Sequence, residues 1–134
     1  MITIIRIFVV SAVLTSVCAL PAQAFSITFD LRGTEGAAVA ELTTGPVTKN
    51  GLTATLTAND GVLNQTSGGF GINASGGTDA THLIDNGSGV TEFVTIMFDQ
   101  LVTFDQLALS SFTSTEVASL TIAGGSPIFL VGTG

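Results

Sequence analysis

The stretch Leu52-Thr53-Ala54-Thr55-Leu56-Thr57-Ala58 alternates strictly between apolar and threonine side chains. Successive side chains of a β-strand point to opposite faces, so this period of two predicts a strand with an apolar inner face and a threonine outer face. One polar face is typical of an antiparallel sheet that has one side in water. Lys49-Asn50-Gly51 precedes the stretch as a turn, and Asn59-Asp60-Gly61 follows it as a strong hairpin signal.

Alternating runs recur along the chain and predict five further strands. They lie at residues 25–31, 92–99, 101–112, 117–123 and 127–131. Val94, Ile96 and Phe98 share one face of their run, and Ala118, Leu120 and Ile122 share the inner face of theirs. Helical periodicity is almost absent beyond the first 24 residues. The pattern predicts an all-β fold, an antiparallel β-sandwich of jelly-roll or immunoglobulin-like type.

Residues 1–24 have the layout of a secretory signal peptide. Arg6 supplies a positive n-region, residues 7–20 are largely apolar, and Pro21-Ala22-Gln23-Ala24 carries small residues at the positions that signal peptidase recognises. We expect cleavage before Phe25, export through the Sec route, and a secreted or cell-envelope location.

Two alternatives compete with simple cleavage. A transmembrane anchor is disfavoured because the apolar run is shorter than the ~20 residues that span a bilayer. Lipidation of Cys18 is disfavoured because Val17 and Thr15 stand where a lipoprotein signal has a small residue and a leucine-like residue. The mature chain is therefore expected to be one domain over residues 25–134.

Charge and cysteine content exclude several function classes. The 134 residues hold 3 basic and 10 acidic side chains, a net charge of −7, which disfavours a phosphate-binding surface for nucleic acid. The one cysteine lies in the leader, so the mature domain has neither disulfides nor a cysteine zinc site. Its stability must come from its core or from bound ions.

Short sequence stretches that are typical of strands and turns follow one another from residue 51 to residue 127. They are residues 51–58, Gly61-Val62-Leu63-Asn64, Phe70-Gly71-Ile72-Asn73, residues 85–89, Glu92, Ile96-Met97-Phe98-Asp99, residues 107–112 and residues 120–127. With them, most of residues 25–134 resembles the N-terminal β domain of bacterial PEP-CTERM proteins. Those exported proteins end in a Pro-Glu-Pro signal, a transmembrane helix and a basic tail that exosortase handles. The resemblance implies an extracellular or envelope-associated bacterial protein connected with the exopolysaccharide matrix.

The sequence departs from that family pattern after its last predicted strand. No Pro-Glu-Pro motif, C-terminal apolar helix or basic tail is present, so sorting by exosortase is not implied. The run at 127–131 also has no returning partner strand, which would leave an unprotected edge. We expect the natural protein, or its ancestor, to continue past Gly134.

The stretch 64–90 is rich in Gly, Asn and Ser, and long loops of this kind are often functional. It brings together carboxylates and amides, the oxygen ligands that calcium prefers. The best candidate ligands are Asp79, Asp85 and Glu92, and no cofactor other than calcium is indicated. The alternative is that these Asp and Asn residues only initiate turns and stay solvated.

Catalysis has weak support in the sequence. His82 with Asp85 and Ser110 or Ser111 holds the residue types of a triad, yet no G-x-S-x-G motif is present. There is no Trp or Tyr to stack on a sugar ring. We therefore expect a protein that is not an enzyme and has a structural or adhesive role at the cell surface or in the extracellular matrix.

The alternative function is a calcium-dependent polysaccharide-binding module. For either function the expected partners are extracellular polysaccharide or envelope components. Nucleic acid is not an expected partner, because basic side chains are so few. Contact with the membrane is expected only through the leader before its cleavage.

Overall fold

The computed structural model describes residues 2–8 by their backbone, and residues 25–66, 69–75, 83–84, 89, 91–110 and 112–132 in full. The regular secondary structure of this described part consists of strands and one short helix. In chain order the elements are β1 (Ile2–Phe8), α1 (Thr34–Ala37), β2 (Thr44–Lys49), β3 (Leu52–Ala58), β4 (Val62–Thr66), β5 (Gly69–Asn73), β6 (Val94–Phe98), β7 (Val117–Ile122) and β8 (Ile128–Val131). The prediction of an all-β fold is confirmed.

The described strands form two sheets. The larger sheet has the order β2-β3-β6-β1-β7-β8, and β4 pairs with β5 in the smaller one. The pairings β2–β3, β3–β6, β7–β8 and β4–β5 are antiparallel. Strand β1 differs, because it runs parallel to both of its neighbours. Within the described residues, no helix combines the length and apolar character needed to cross a bilayer.

The strand predicted at 52–58 is β3, with the same bounds. Ala54, Leu56 and Ala58 are buried, and the threonines between them are partly exposed, as the alternation predicts. A hairpin joins β2 to β3 through Asn50 and Gly51, whose φ angles of 51° and 81° are those of a type I′ turn.

Strand β2 was missed by the sequence analysis, because Gly45 and Pro46 interrupt its pattern. A proline cannot donate to a sheet ladder, so it is tolerated on an edge strand. Strand β2 lies at an edge of the larger sheet, and Pro46 is paired there with Thr55.

The prediction of a hairpin at Asn59-Asp60-Gly61 is wrong. The chain leaves β3 in the larger sheet at this turn and enters β4 in the smaller sheet, so the two flanking strands are not paired. The turn residues were recognised correctly, but they connect two layers.

The strands predicted at 25–31 and 101–112 are also wrong. In residues 25–31, 101–110 and 112 the backbone belongs to no strand. Ile27, Phe29 and Leu31 are nevertheless more buried than the residues between them. Alternation decides which side chains turn inward, whereas a strand also needs a hydrogen-bonded neighbour.

Part of the predicted loop at 64–90 is a hairpin. Strands β4 and β5 pair from Val62 and Asn73 to Thr66 and Gly69, so the loop prediction is wrong over this part. The strands predicted at 92–99, 117–123 and 127–131 are confirmed as β6, β7 and β8; β6 is shorter at both ends, whereas β7 and β8 are each one residue shorter at one end.

One apolar core joins the two sheets. Leu56 of β3 and Val94 of β6 are buried in the same cluster as Leu63 of β4 and Ile72 of β5. A second cluster surrounds Leu120 of β7. Burial of such side chains contributes roughly 1.5–3 kcal/mol each, so this shared core holds the smaller sheet against the larger one.

Candidate functional site

The side chain of Asn59 forms hydrogen bonds with the backbone directly before β6. Its Nδ2 donates to the carbonyl oxygen of Thr91 at 3.0 Å, and its Oδ1 accepts from the N–H of Phe93 at 2.6 Å. The N–H of Asn59 also donates to the carbonyl oxygen of Phe93 at 3.2 Å. The Asn59 amide thereby fixes the chain on both sides of Glu92.

The next residue, Asp60, is bonded to the segment that follows β5. Ser75 Oγ donates to Asp60 Oδ1 at 2.7 Å. Gly61 packs against the same segment, because a Cβ there would lie 2.0 Å from the carbonyl oxygen of Asn73. We name Asn59-Asp60-Gly61 the anchor turn, since it contacts Asn73 and Ser75 on one side and Thr91 and Phe93 on the other.

Glu92 is fully buried at one end of this segment. Val94, two residues later and the first residue of β6, is buried too. Glu92 takes part in a further interaction beyond the backbone bonds of its neighbours. A buried carboxyl group needs such interactions because its charged form is poorly solvated.

The predicted calcium ligands are described only in part. Glu92 lies beside the anchor turn, whereas Asp79 and Asp85 lie outside the described residues. Among the residues that the structure does describe, no group of three Asp, Glu, His or Cys side chains is close enough to hold a metal ion. The calcium site stays a prediction for these three residues.

Of the four residues considered for a hydrolytic triad, the structure describes Ser110 alone. Its side chain is exposed, and His82, Asp85 and Ser111 lie outside the described residues. Ser110 Oγ lies near the backbone of β5, because a Cβ at Gly69 would be 3.0 Å from it.

A network of polar contacts holds residues 25–31 over the larger sheet. Lys49 Nζ donates to Glu35 Oε1 and, at 2.8 Å, to the carbonyl oxygen of Thr28. The N–H of Asp30 donates to Glu35 Oε2 at 3.1 Å. The hydrogen bond from Lys49 lowers the pKa of Glu35 below its ordinary value, since it favours the charged carboxylate.

A cavity of about 980 Å³ lies between the inner face of the larger sheet and the extended residues 25–32 and 101–110. Its walls are mainly apolar and include Leu56, Ile96 and Phe98. In the described residues of these two covering segments the backbone belongs to no strand.

The apolar side chains of β8 are exposed, at the edge that the sequence pattern predicted to be unprotected. Phe129 is 64% exposed and Val131 is 63% exposed, and Ile128 is exposed as well. The signal was present in residues 128–131, which hold no polar side chain. Phe25 is another exposed phenylalanine that the strand pattern had assigned to the core.

No protein-family model, curated protein or solved structure matches this chain.

Proposed function

We propose that this chain is an exported, non-catalytic protein of the PEP-CTERM type, with a structural or adhesive role at the bacterial cell surface or in the extracellular matrix. Its domain is a β-sandwich of jelly-roll or immunoglobulin-like type. The sandwich is supported by the core that Leu56 and Val94 of the larger sheet share with Leu63 and Ile72 of the smaller sheet.

The exposed edge of β8 is the observation that carries this proposal. Among the described strands, β8 pairs with β7 alone and ends the larger sheet. Soluble proteins commonly protect such edges with charges, prolines or bulges, because an open edge accepts another strand. Residues 128–131 contain no charge and no proline.

Both faces of β8 carry apolar side chains. Phe129 is paired with Ser119 and Val131 with Val117, so these two share the outer face. Ile128 is paired with Leu120, whose side chain is in the core, and lies on the inner face. An edge that is apolar on both faces fits strand-to-strand assembly between molecules, which suits a matrix or adhesive protein.

Self-association of the full chain tests the role of this edge. Sedimentation velocity over a range of concentrations is expected to show reversible assembly, which Phe129→Lys abolishes by placing a charge on the edge. Leu101→Lys is the matched control, since Leu101 is 70% exposed but lies outside every strand. A parent chain that stays monomeric, or equal behaviour of the two variants, would contradict the proposal.

The second candidate is a calcium-dependent polysaccharide-binding module. The position of Glu92 favours it, because this buried carboxyl group borders the segment that contains Asp79 and Asp85. The acidic balance of the chain suits a cation ligand.

Thermal unfolding with and without calcium chloride tests this candidate. A ligand that binds only the folded chain raises the melting temperature. We expect Asp85→Ala to remove the rise and Asp105→Ala, an exposed acid in the 101–110 segment, to preserve it. A rise that magnesium reproduces, or that survives Asp85→Ala, would argue against the predicted site.

A further inference from the structure

The cavity of about 980 Å³ has a continuous apolar floor on the larger sheet. Ala54 of β3 is paired with Phe98 of β6, and Leu56 is paired with Ile96, so these four side chains form one patch. Cross-strand partners of this kind lie side by side on one face of a sheet. All four residues belong to the domain that is expected to remain after cleavage before Phe25.

The two covering segments also turn apolar side chains toward the cavity. Phe29 of the first segment packs against Phe98, with 6.1 Å between the ring centroids. Leu107 and Leu109 of the second segment line the same space and pack near Leu120. Walls of this kind hold water poorly, because a buried water molecule needs several polar partners. The volume is at the upper end of the roughly 300–1,000 Å³ that is typical of ligand pockets.

Polar contacts fasten the first covering segment over residues 28–31. The carbonyl oxygen of Thr28 accepts a hydrogen bond from Lys49, and the N–H of Asp30 donates to Glu35. The start of the segment differs, because Phe25 lines the cavity and is nevertheless 67% exposed. An apolar side chain that faces both the cavity and the solvent places the mouth of the cavity at Phe25.

The charged residues of the cavity wall are mostly acidic. Asp30, Asp105 and Glu116 line it, against one base, Arg32, among the described residues. Arg32 Nε lies 3.7 Å from Asp30 Oδ1, so these two charges offset one another and the two other acids remain. The whole chain also has a net charge of −7. This field disfavours an anionic head group and favours a cationic one.

We propose that this cavity is a binding site for a single-chain amphiphile, whose alkyl chain lies between the larger sheet and the covering segments and whose cationic head group lies near the acidic wall residues. The chain enters at Phe25. A polysaccharide does not suit the same space, because its hydroxyl groups would lose water without gaining partners from apolar walls. This inference goes beyond the proposed surface role and does not depend on it.

Displacement of a fluorescent probe tests the proposal on the protein purified after export. Phenylnaphthylamine, which is apolar and uncharged, is titrated until its fluorescence reaches a plateau. Dodecyltrimethylammonium and dodecanoate, which share a chain length and differ in head-group charge, then compete below their micelle-forming concentrations. We expect the cation to displace the probe at about a tenfold lower concentration. A probe that does not bind, or a preference for dodecanoate, would overturn the proposal.

A matched pair of variants locates the probe within the cavity. Ala54→Phe fills part of the floor, and we expect it to weaken probe binding about tenfold. Thr55→Phe introduces the same side chain at the next position, which points to the opposite face of β3, and should bind the probe like the parent. Equal binding by the two variants would contradict the proposed site.

Two further variants keep the test decisive if Ala54→Phe does not fold. Asp105→Lys reverses an exposed charge of the cavity wall and should shift the preference toward dodecanoate. An unchanged preference would overturn the assignment of the head group. Phe129→Lys should retain probe binding, whatever its effect on self-association. Loss of the probe in that variant would show adsorption to the β8 edge instead of binding in the cavity.

Discussion

The backbone N–H of Phe93 donates a 2.6 Å hydrogen bond to Oδ1 of Asn59, a residue 34 positions earlier in the chain. The other amide atom of Asn59 binds the carbonyl oxygen of Thr91. One side chain just after β3 therefore holds the backbone on both sides of the buried Glu92, directly before β6. This bond links the anchor turn to the backbone beside Glu92, one of the three predicted calcium ligands.

We expect Asn59→Ala to destabilise the protein by about 1–3 kcal/mol, because two backbone groups lose their partner. Asn59→Asp should cost less, since it keeps an acceptor for Phe93 and loses only the donor to Thr91. Urea unfolding measures both free energies. Gln106→Ala, at an exposed position, serves as the control and should leave the unfolding free energy nearly unchanged. An equally small effect of Asn59→Ala would show that the hydrogen bonds of Asn59 contribute little to the free energy of unfolding.

Two glycines with positive φ allow a matched test of the anchor turn. Gly51 has a φ of 81° with open space around it, so Gly51→Ala should cost about 1–2 kcal/mol through backbone strain alone. Gly61 has a φ of 62°, and a Cβ there meets the carbonyl oxygen of Asn73, so Gly61→Ala should cost about 2–5 kcal/mol. Equal melting temperatures of the two variants would refute this packing.

The shared core predicts a large effect of truncation in the smaller sheet. Leu63 of β4 is fully buried, and we expect Leu63→Ala to reduce the free energy of unfolding by about 2–5 kcal/mol. Leu101→Ala is the control, because that side chain is largely exposed and should change stability by less than about 0.5 kcal/mol. Chemical denaturation of both variants makes the comparison. A cost for Leu63→Ala as small as for Leu101→Ala would mean that β4 does not pack on the larger sheet.

The contact between Glu35 and Lys49 predicts a dependence of stability on pH. The pKa of Glu35 in the folded chain is lowered from its ordinary value of 4.5. The contact therefore stabilises the folded chain fully at pH values above 4.5, and this stabilisation is lost as the pH falls through the lowered pKa. The stability difference between the parent and Glu35→Gln should therefore shrink in acid. Urea unfolding from about pH 7 to about pH 3 measures it.

Lys49→Met tests the cause of that dependence. Without the Lys49 hydrogen bond the pKa of Glu35 should return toward its ordinary value. The free energies of unfolding of Lys49→Met and of the double variant Lys49→Met, Glu35→Gln are compared across the same pH range. Their difference should change less with pH than the difference between the parent and Glu35→Gln. A difference of the same size in both backgrounds would assign the effect to other partners of Glu35.

The candidate site was predictable only in outline. The sequence pattern indicates Glu92 as a candidate ligand and Asn59-Asp60-Gly61 as turn residues, but it wrongly predicts that the turn closes a hairpin. Asn and Asp favour turns through local bonds, and sequence alone does not reveal which distant backbone groups their side chains reach. Asp79 and Asp85 remain predictions.

By itself the sequence determined which side chains of β3 and β7 turn inward, since Leu56 and Leu120 alternate with polar neighbours and alternation is a local property of the chain. Only the tertiary structure decided which segments become strands. Residues 25–31 alternate as clearly as β3 but belong to no strand in the described part of the chain, whereas β2 pairs despite Pro46. Backbone pairing depends on what the rest of the fold brings within hydrogen-bond distance, and a local pattern does not contain that information.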